Sequence, residues 1–210
     1  MLIIVLTVLG MIVVSSVIEG LLHQFILHTP QKKVLGGILY PAFNAHAIEH
    51  HPAYRDEHYH REAPDHEKRI SLEWYTLPIM LIITSPISWF LWTRFGVGPG
   101  LAVPITMTLY YATYETLHWH MHFPPRNGKL RWFENIKPVK IYFDWFDKRH
   151  FIHHLADDRN FNVVLPVYDL LTGRYTTNER NIPWAIRLRT AKNKRKSEAI
   201  RKARATEPSK

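Results

Sequence analysis

Three stretches of this 210-residue chain are too long and too apolar to be ordinary core elements. Met1 to Leu22 (MLIIVLTVLGMIVVSSVIEGLL) carries one charge, Glu19, near its end. Leu72 to Phe95 carries only Glu73 and Arg94, at its two ends, and after Gly96-Val97-Gly98-Pro99-Gly100 a third run extends from Leu101 to Leu117. At ~1.5 Å per helical residue each can cross a hydrocarbon layer of ~30 Å. Val14-Ser15-Ser16 resembles a signal-peptide cleavage region, but no Lys or Arg precedes the first run as a positive n-region would, which favours a retained span. The second and third runs read as a transmembrane hairpin. Trp74, Tyr75, Trp89, Trp92, Tyr110 and Tyr111 sit toward their ends, as interface belts do, although a buried hairpin in water could carry the same aromatics. The hydrophobic content of 46% is ordinary only because long apolar runs alternate with polar, histidine-rich stretches.

Those polar stretches carry four histidine boxes: His23 with His28; His46 with His50 and His51; His118 with His122; and His150 with His153 and His154. On an α-helix His118 and His122 share a face, as do His150, His153 and His154. His46 and His50 also share one, with His51 turned ~100° away, placed to reach a second ion. His23 and His28 are five apart, ~140° round an α-helix, so on that geometry they do not share a face. Neutral imidazoles aimed one way are costly to bury unless something uses their lone pairs, and a transition metal does. His120 points away from its neighbours and reads as non-ligating. His58, His60 and His66 fall in a charged stretch with no helical phase relation to a box and read as solvated.

Charge gives the topology. With Met1 outside, three spans put all four boxes on the inner side, and 26 of the 27 Lys and Arg fall on that side, Arg94 alone lying in the outer turn. This is the positive-inside pattern, and it accounts for the net charge of +9 without nucleic acid. The expectation is an all-α integral membrane protein of about three transmembrane helices, with a cytosolic-face helical cap carrying the boxes. Residues 1–181 form the membrane domain. Residues 182–210 are a basic tail that either lies on anionic lipid as a helix or has no fixed structure.

Cysteine is absent, which excludes disulfides, Cys-ligated zinc and iron–sulfur clusters, so any metal rests on His and carboxylate. Ten imidazoles exceed what one ion takes; two ions with about five each fit. Iron suits all-imidazole ligation with a vacant position for oxygen, whereas zinc also binds imidazole well, so ligand type alone does not choose between them. Ligating His usually donates its other N–H to a carboxylate or carbonyl, and Glu49, Glu115 and Asp147 are placed to receive it.

Tyr114-Glu115-x2-His118-x3-His122-x-Pro124, His150-x2-His153-His154 and Asn160-Phe161-x7-Asp169-x3-Gly173, after His23-x4-His28 and His46-x3-His50-His51, resemble the fatty acid hydroxylase / sterol desaturase superfamily. The third box is closer to the fatty-acid-hydroxylase branch, and carotenoid hydroxylases carry similar boxes. The resemblance implies a membrane-bound di-iron centre ligated by the ten histidines, with O2 as co-substrate. It would hydroxylate or desaturate a C–H bond of a lipid, most simply a fatty acyl chain. Electrons would come from a separate partner of cytochrome b5, ferredoxin or reductase type, because the His-Pro-Gly-Gly signature of a fused cytochrome b5 domain is missing. The chain departs from its relatives in having three apparent spans where they often have four, and in having Phe123 where some carry another His. The implied location is the bacterial inner membrane or the endoplasmic reticulum, boxes facing the cytosol. The competing classes are a carotenoid or sterol enzyme of the same superfamily and a non-catalytic metal-binding membrane protein. A transporter of the latter kind would place ionisable groups within its spans, and these spans are nearly free of them.

Overall fold

The computed structural model describes residues 1–32, 37–55, 59, 71–123 and 131–178, all helix, turn or coil without a strand. Its elements are α1 (Leu2–Leu22) continuing into a π-helical turn π1 (His23–Leu27), α2 (Tyr40–Phe43), π2 (Asn44–His50), α3 (His51–Ala53), α4 (Thr76–Phe95), α5 (Val97–His122), α6 (Lys137–Leu155) and α7 (Val167–Leu171). His58, His60, His66, the Pro-Pro segment at 124–128 and the basic tail 182–210 lie outside the described residues.

α4 and α5 form the expected hairpin, but its turn is shorter than the sequence suggests. Gly96 alone links them, at φ 91° and ψ −177°, backbone that a side chain would strain, and its N–H closes α4 on the Trp92 carbonyl at 2.9 Å. Gly98, Pro99 and Gly100 are already helical, because a proline in the first turn gives up an N–H with no partner to lose. Gly100 also lets the helices touch: a Cβ there would meet Trp92 Cβ at 2.7 Å, while Ser88 Oγ donates to the Gly100 carbonyl at 2.8 Å.

α1 runs parallel to α5 and antiparallel to α4. Ile4 lies against Gly98, Ser15 Oγ lies 3.6 Å from Met107 Sδ, and Tyr110 donates to Glu19 at 2.6 Å, so both chains advance together toward their histidine ends. Met11, Met80, Val103 and Met107 fill the space between the three helices. The outward faces of α1 and α4 are apolar and uncovered, with Leu6, Leu9, Val13, Ile82, Ile83, Trp89 and Phe90 exposed. Leu2–Leu27 and Thr76–Phe95 are each long and apolar enough to cross a membrane. α5 is the innermost of the three, burying Pro99, Gly100, Thr106, Tyr110 and Tyr114 in close packing.

At the histidine end, α6 packs Phe143 and Phe146 against Tyr114, Leu117 and Met121 of α5, with Phe133, Val163 and Val164 closing the cluster. The guanidinium of fully buried Arg149 is sandwiched by Trp145 and Phe146, 4.2 and 3.7 Å from their centroids. After α6 the chain returns to α1 through a self-bonded loop. Asp169 accepts from Phe161 N (2.8 Å) and Asn162 N (2.9 Å), while Asn160, at φ 54°, bonds Arg149 O and both backbone groups of Thr176. The loop docks where α1 offers no side chain: the Tyr168 ring occupies the place a Cβ of Gly20 would take. Gly20→Ala therefore has to displace Tyr168, and is expected to lower the midpoint of thermal unfolding in detergent by several degrees. An unchanged midpoint would show the docking to be loose.

Candidate metal centre

The four boxes arrive from different directions and meet at one end of the helices. Their ten rings form two adjacent groups: His23, His28, His46, His51 and His153 in the first, and His50, His118, His122, His150 and His154 in the second. Within each group one nitrogen per ring lies within 4.8 Å of every other. All ten rings are buried except that of His28, which is half-buried and marks the solvent edge. His120 belongs to neither group and rests against Phe133, ring centroids 5.2 Å apart.

The partition corrects the α-helical phases expected from the sequence. The first and second boxes fold as π-helix, whose hydrogen bonds run i to i+5. His28 N–H accordingly reaches the His23 carbonyl at 3.1 Å, and His51 N–H reaches that of His46. Residues five apart are thereby brought together, so His23 joins His28 and His46 joins His51, while His50 turns to the other group. α5 and α6 are regular α-helix, and there the i,i+4 pairs His118/His122 and His150/His154 share the second group. His153 leaves the face expected of it and joins the first. The neighbours His50/His51 and His153/His154 are thus divided between the groups, which locks the two together.

Ring nitrogens face one another across each group. His46 Nε2 lies 2.9 Å from His23 Nε2 and 3.2 Å from His51 Nε2; His28 Nε2 and His153 Nε2 are 3.1 Å apart. In the second group His150 Nε2 lies 3.1 Å from both His122 Nε2 and His154 Nε2. Several of these rings spend their proton outward. His23 Nδ1 bonds the Phe161 carbonyl, His122 Nδ1 the Tyr59 carbonyl at 3.0 Å and His153 Nδ1 the Arg159 carbonyl at 2.8 Å. A neutral imidazole protonated at Nδ1 presents a lone pair at Nε2, so lone pairs converge, and one cation between them removes the repulsion. Both ring nitrogens of buried His50 lack a hydrogen-bond partner, as do Nδ1 of His150 and His154. The residues present therefore fit metal ions.

Burial first, and then the neighbouring imidazoles, push His46, His50, His51, His150 and His154 far below the ordinary histidine range. The same causes bring His28 down to about 2, and burial brings His153 to about 4. All are neutral at pH 7, the form a metal binds.

The groups that orient the rings are mostly backbone carbonyls rather than the expected carboxylates. Glu115 accepts from Leu72 N–H at 3.0 Å and so ties the start of the second apolar run to α5. Asn44 Nδ2 donates to Glu49 at 2.9 Å. Asp147, which burial pushes up to about 7, accepts from the Tyr59 hydroxyl at 2.9 Å and thereby fixes the residue whose carbonyl holds His122. Asp157, with Oδ1 3.2 Å from His51 Nδ1, is the carboxylate that sequence reasoning missed; its position just past α6 gave no helical phase to find it by. Phe161 covers the first group, its ring 5.5–5.7 Å from those of His23, His28 and His153, and Tyr54 covers the second, 5.0 Å from His50 and 4.4 Å from His122. Tyr59→Phe removes the bond to Asp147 and is expected to weaken metal binding about tenfold in a chelator competition, the lower end of what outer partners of metal-ligating histidines contribute. Equal affinity would show that Tyr59 is held by other contacts.

Compared with known proteins, the chain matches no family model, no curated protein and no solved structure.

Proposed function

We propose that the chain is a membrane-bound di-iron oxygenase that hydroxylates or desaturates a C–H bond of a lipid, most simply of a fatty acyl chain. The observation that carries this reading is the pair of touching five-histidine groups, nine of their ten rings buried, at the ends of membrane-length apolar helices. The protein crosses the membrane three times through α1, α4 and α5. Its histidines lie on the cytosolic side, where 26 of the 27 basic residues of the sequence fall.

Five imidazoles per ion favour iron over zinc. Structural and catalytic zinc takes three or four protein ligands in tetrahedral array, fewer than the five imidazoles each group offers. When bound, the iron pair supplies the O2 chemistry that attacks an unactivated C–H bond. His23, His122 and His153 are held in one tautomer by carbonyls, which would leave their Nε2 lone pairs free to hold the ions. Burial of the rings under Phe161 and Tyr54 excludes water from the neighbourhood of the reacting carbon. In hydroxylation one oxygen atom enters the lipid and the other leaves as water. That balance takes two electrons and two protons from an external donor.

Lipid mass profiling of cells with and without the gene, grown in isotopically labelled O2, tests the proposal. A lipid that gains one labelled oxygen establishes hydroxylation; one that loses two hydrogens establishes desaturation. An unchanged profile in iron-replete cells supplied with a donor would overturn the enzyme reading and leave a non-catalytic metal protein. A labelled sterol or carotenoid in place of an acyl lipid would move the activity to another branch.

A further inference from the structure

We propose that residues 163–171, ending in α7, form a re-entrant segment seated in the cytosolic half of the bilayer beside α1, with Leu170 and Leu171 in contact with lipid acyl chains. This rests on the reading that α1 and α4 cross the membrane.

The register with α1 sets the depth. Ser16 Oγ donates to the Leu165 carbonyl and accepts from Val167 N at 3.2 Å; Glu19 accepts from Val163 N at 2.5 Å; Tyr168 lies on Gly20. These contacts fall two to six residues before the end of α1 at Leu22, ~3–9 Å inside it at ~1.5 Å per residue. The apolar stretch itself continues to Leu27. Chain packed on this part of a spanning helix lies at hydrocarbon depth.

The side chains agree with that depth. Tyr168 and Asp169 are buried against the protein, whereas Leu170 and Leu171 are 59% and 73% exposed. Leu21, in the neighbouring turn of α1, is exposed too. On a water-facing cap three leucines would lie bare; in lipid they cost nothing.

The backbone is the third observation. Non-helical chain is tolerated at membrane depth only where protein satisfies its polar groups. Here Val163 N and Val164 N both point to Glu19, the Val164 carbonyl accepts from the Tyr142 hydroxyl at 2.5 Å, and the Leu165 carbonyl accepts from Ser16. Pro166 has no N–H to satisfy, and its carbonyl accepts from Leu170 N at 3.0 Å. This gives Glu19, the one charge of an otherwise apolar span, a purpose: it caps re-entrant backbone where water cannot. The same segment continues back to Phe161, whose carbonyl holds His23, so the ligand's position is tied to the lipid-seated loop.

The chain has no cysteine, so single cysteines can be introduced and spin-labelled without background. Labels at Leu171→Cys, at Ile83→Cys on the exposed face of α4 and at Asp144→Cys on the exposed face of α6 would be compared by power saturation in phospholipid nanodiscs. Each variant is first checked for an unchanged unfolding midpoint, with Leu170→Cys as the substitute if the first does not fold. The expected result is that the label at 171 collides more with O2 than with a water-soluble nickel chelate, as at 83 and opposite to 144. A nickel-accessible label at 171 beside a lipid-exposed label at 83 overturns the proposal alone. A label at 171 shielded from both reagents also overturns it, since protein then covers the site. A nickel-accessible label at 83 overturns the spanning reading itself.

Discussion

Alanine at His150 is expected to empty the second histidine group and to lower lipid turnover by about 10³-fold or more, equivalent to at least ~4 kcal/mol of barrier. His150 is the hub of that group: its Nε2 lies 3.1 Å from both His122 Nε2 and His154 Nε2, so removing it takes one ligand and loosens two others. The first group keeps all five rings, and purified His150→Ala protein should retain about one ion per chain. His46 plays the matching part in the first group, between His23 and His51, so His46→Ala should deplete the other ion. Elemental analysis of both variants beside the wild type checks the partition. Two ions per chain and wild-type turnover in either variant would remove that residue from the centre.

Glu19→Ala is expected to produce the second largest effect, although Glu19 touches no metal ligand. Its carboxylate accepts from the Tyr110 hydroxyl (2.6 Å), Asn162 Nδ2 (3.1 Å) and Val163 N (2.5 Å), all buried. Removing the acceptor orphans these donors at about 1–3 kcal/mol each, a loss of about 3 kcal/mol or more. Residues 160–164 would then detach from α1, and with them the Phe161 carbonyl that fixes the His23 tautomer. A lower unfolding midpoint should therefore be accompanied by loss of the first group's ion. Glu19→Gln, which keeps one acceptor oxygen but places an amide donor among other donors, should fall between. An Ala variant that unfolds and binds iron as the wild type does would contradict the latch.

Much of this arrangement was legible in the residues. The length and apolarity of α1 and α4, the hairpin through Gly96 and the ten-histidine inventory need only composition and spacing. The local geometry of the first two boxes was not legible. A five-residue spacing reads as two faces of an α-helix, and only the π-helical turns at His23 and Asn44 turn it into one. Which ring joins which group follows from that one change of helix type. The orienting groups were also hidden: carbonyls of Tyr59, Arg159 and Phe161 carry no sequence signature, because any residue supplies one. Asn160, Phe161 and Asp169 are identifiable as a motif, but the docking of their loop onto Glu19 through Asn162 and Val163 depends on a contact across more than 140 residues. α5 shows the reverse case. Its apolar run is visible, yet Gly100, Thr106, Tyr110 and Tyr114 are buried in packing against its neighbours, so composition alone understates it.

The central claim is that two ions sit side by side in all-imidazole shells. Iron counting combined with X-ray absorption at the iron K-edge, on wild-type protein purified from iron-replete cells, tests it most directly. The account predicts two irons per chain, with about five imidazole rings around each. One iron or none per chain, or shells with only two or three imidazoles, would contradict it.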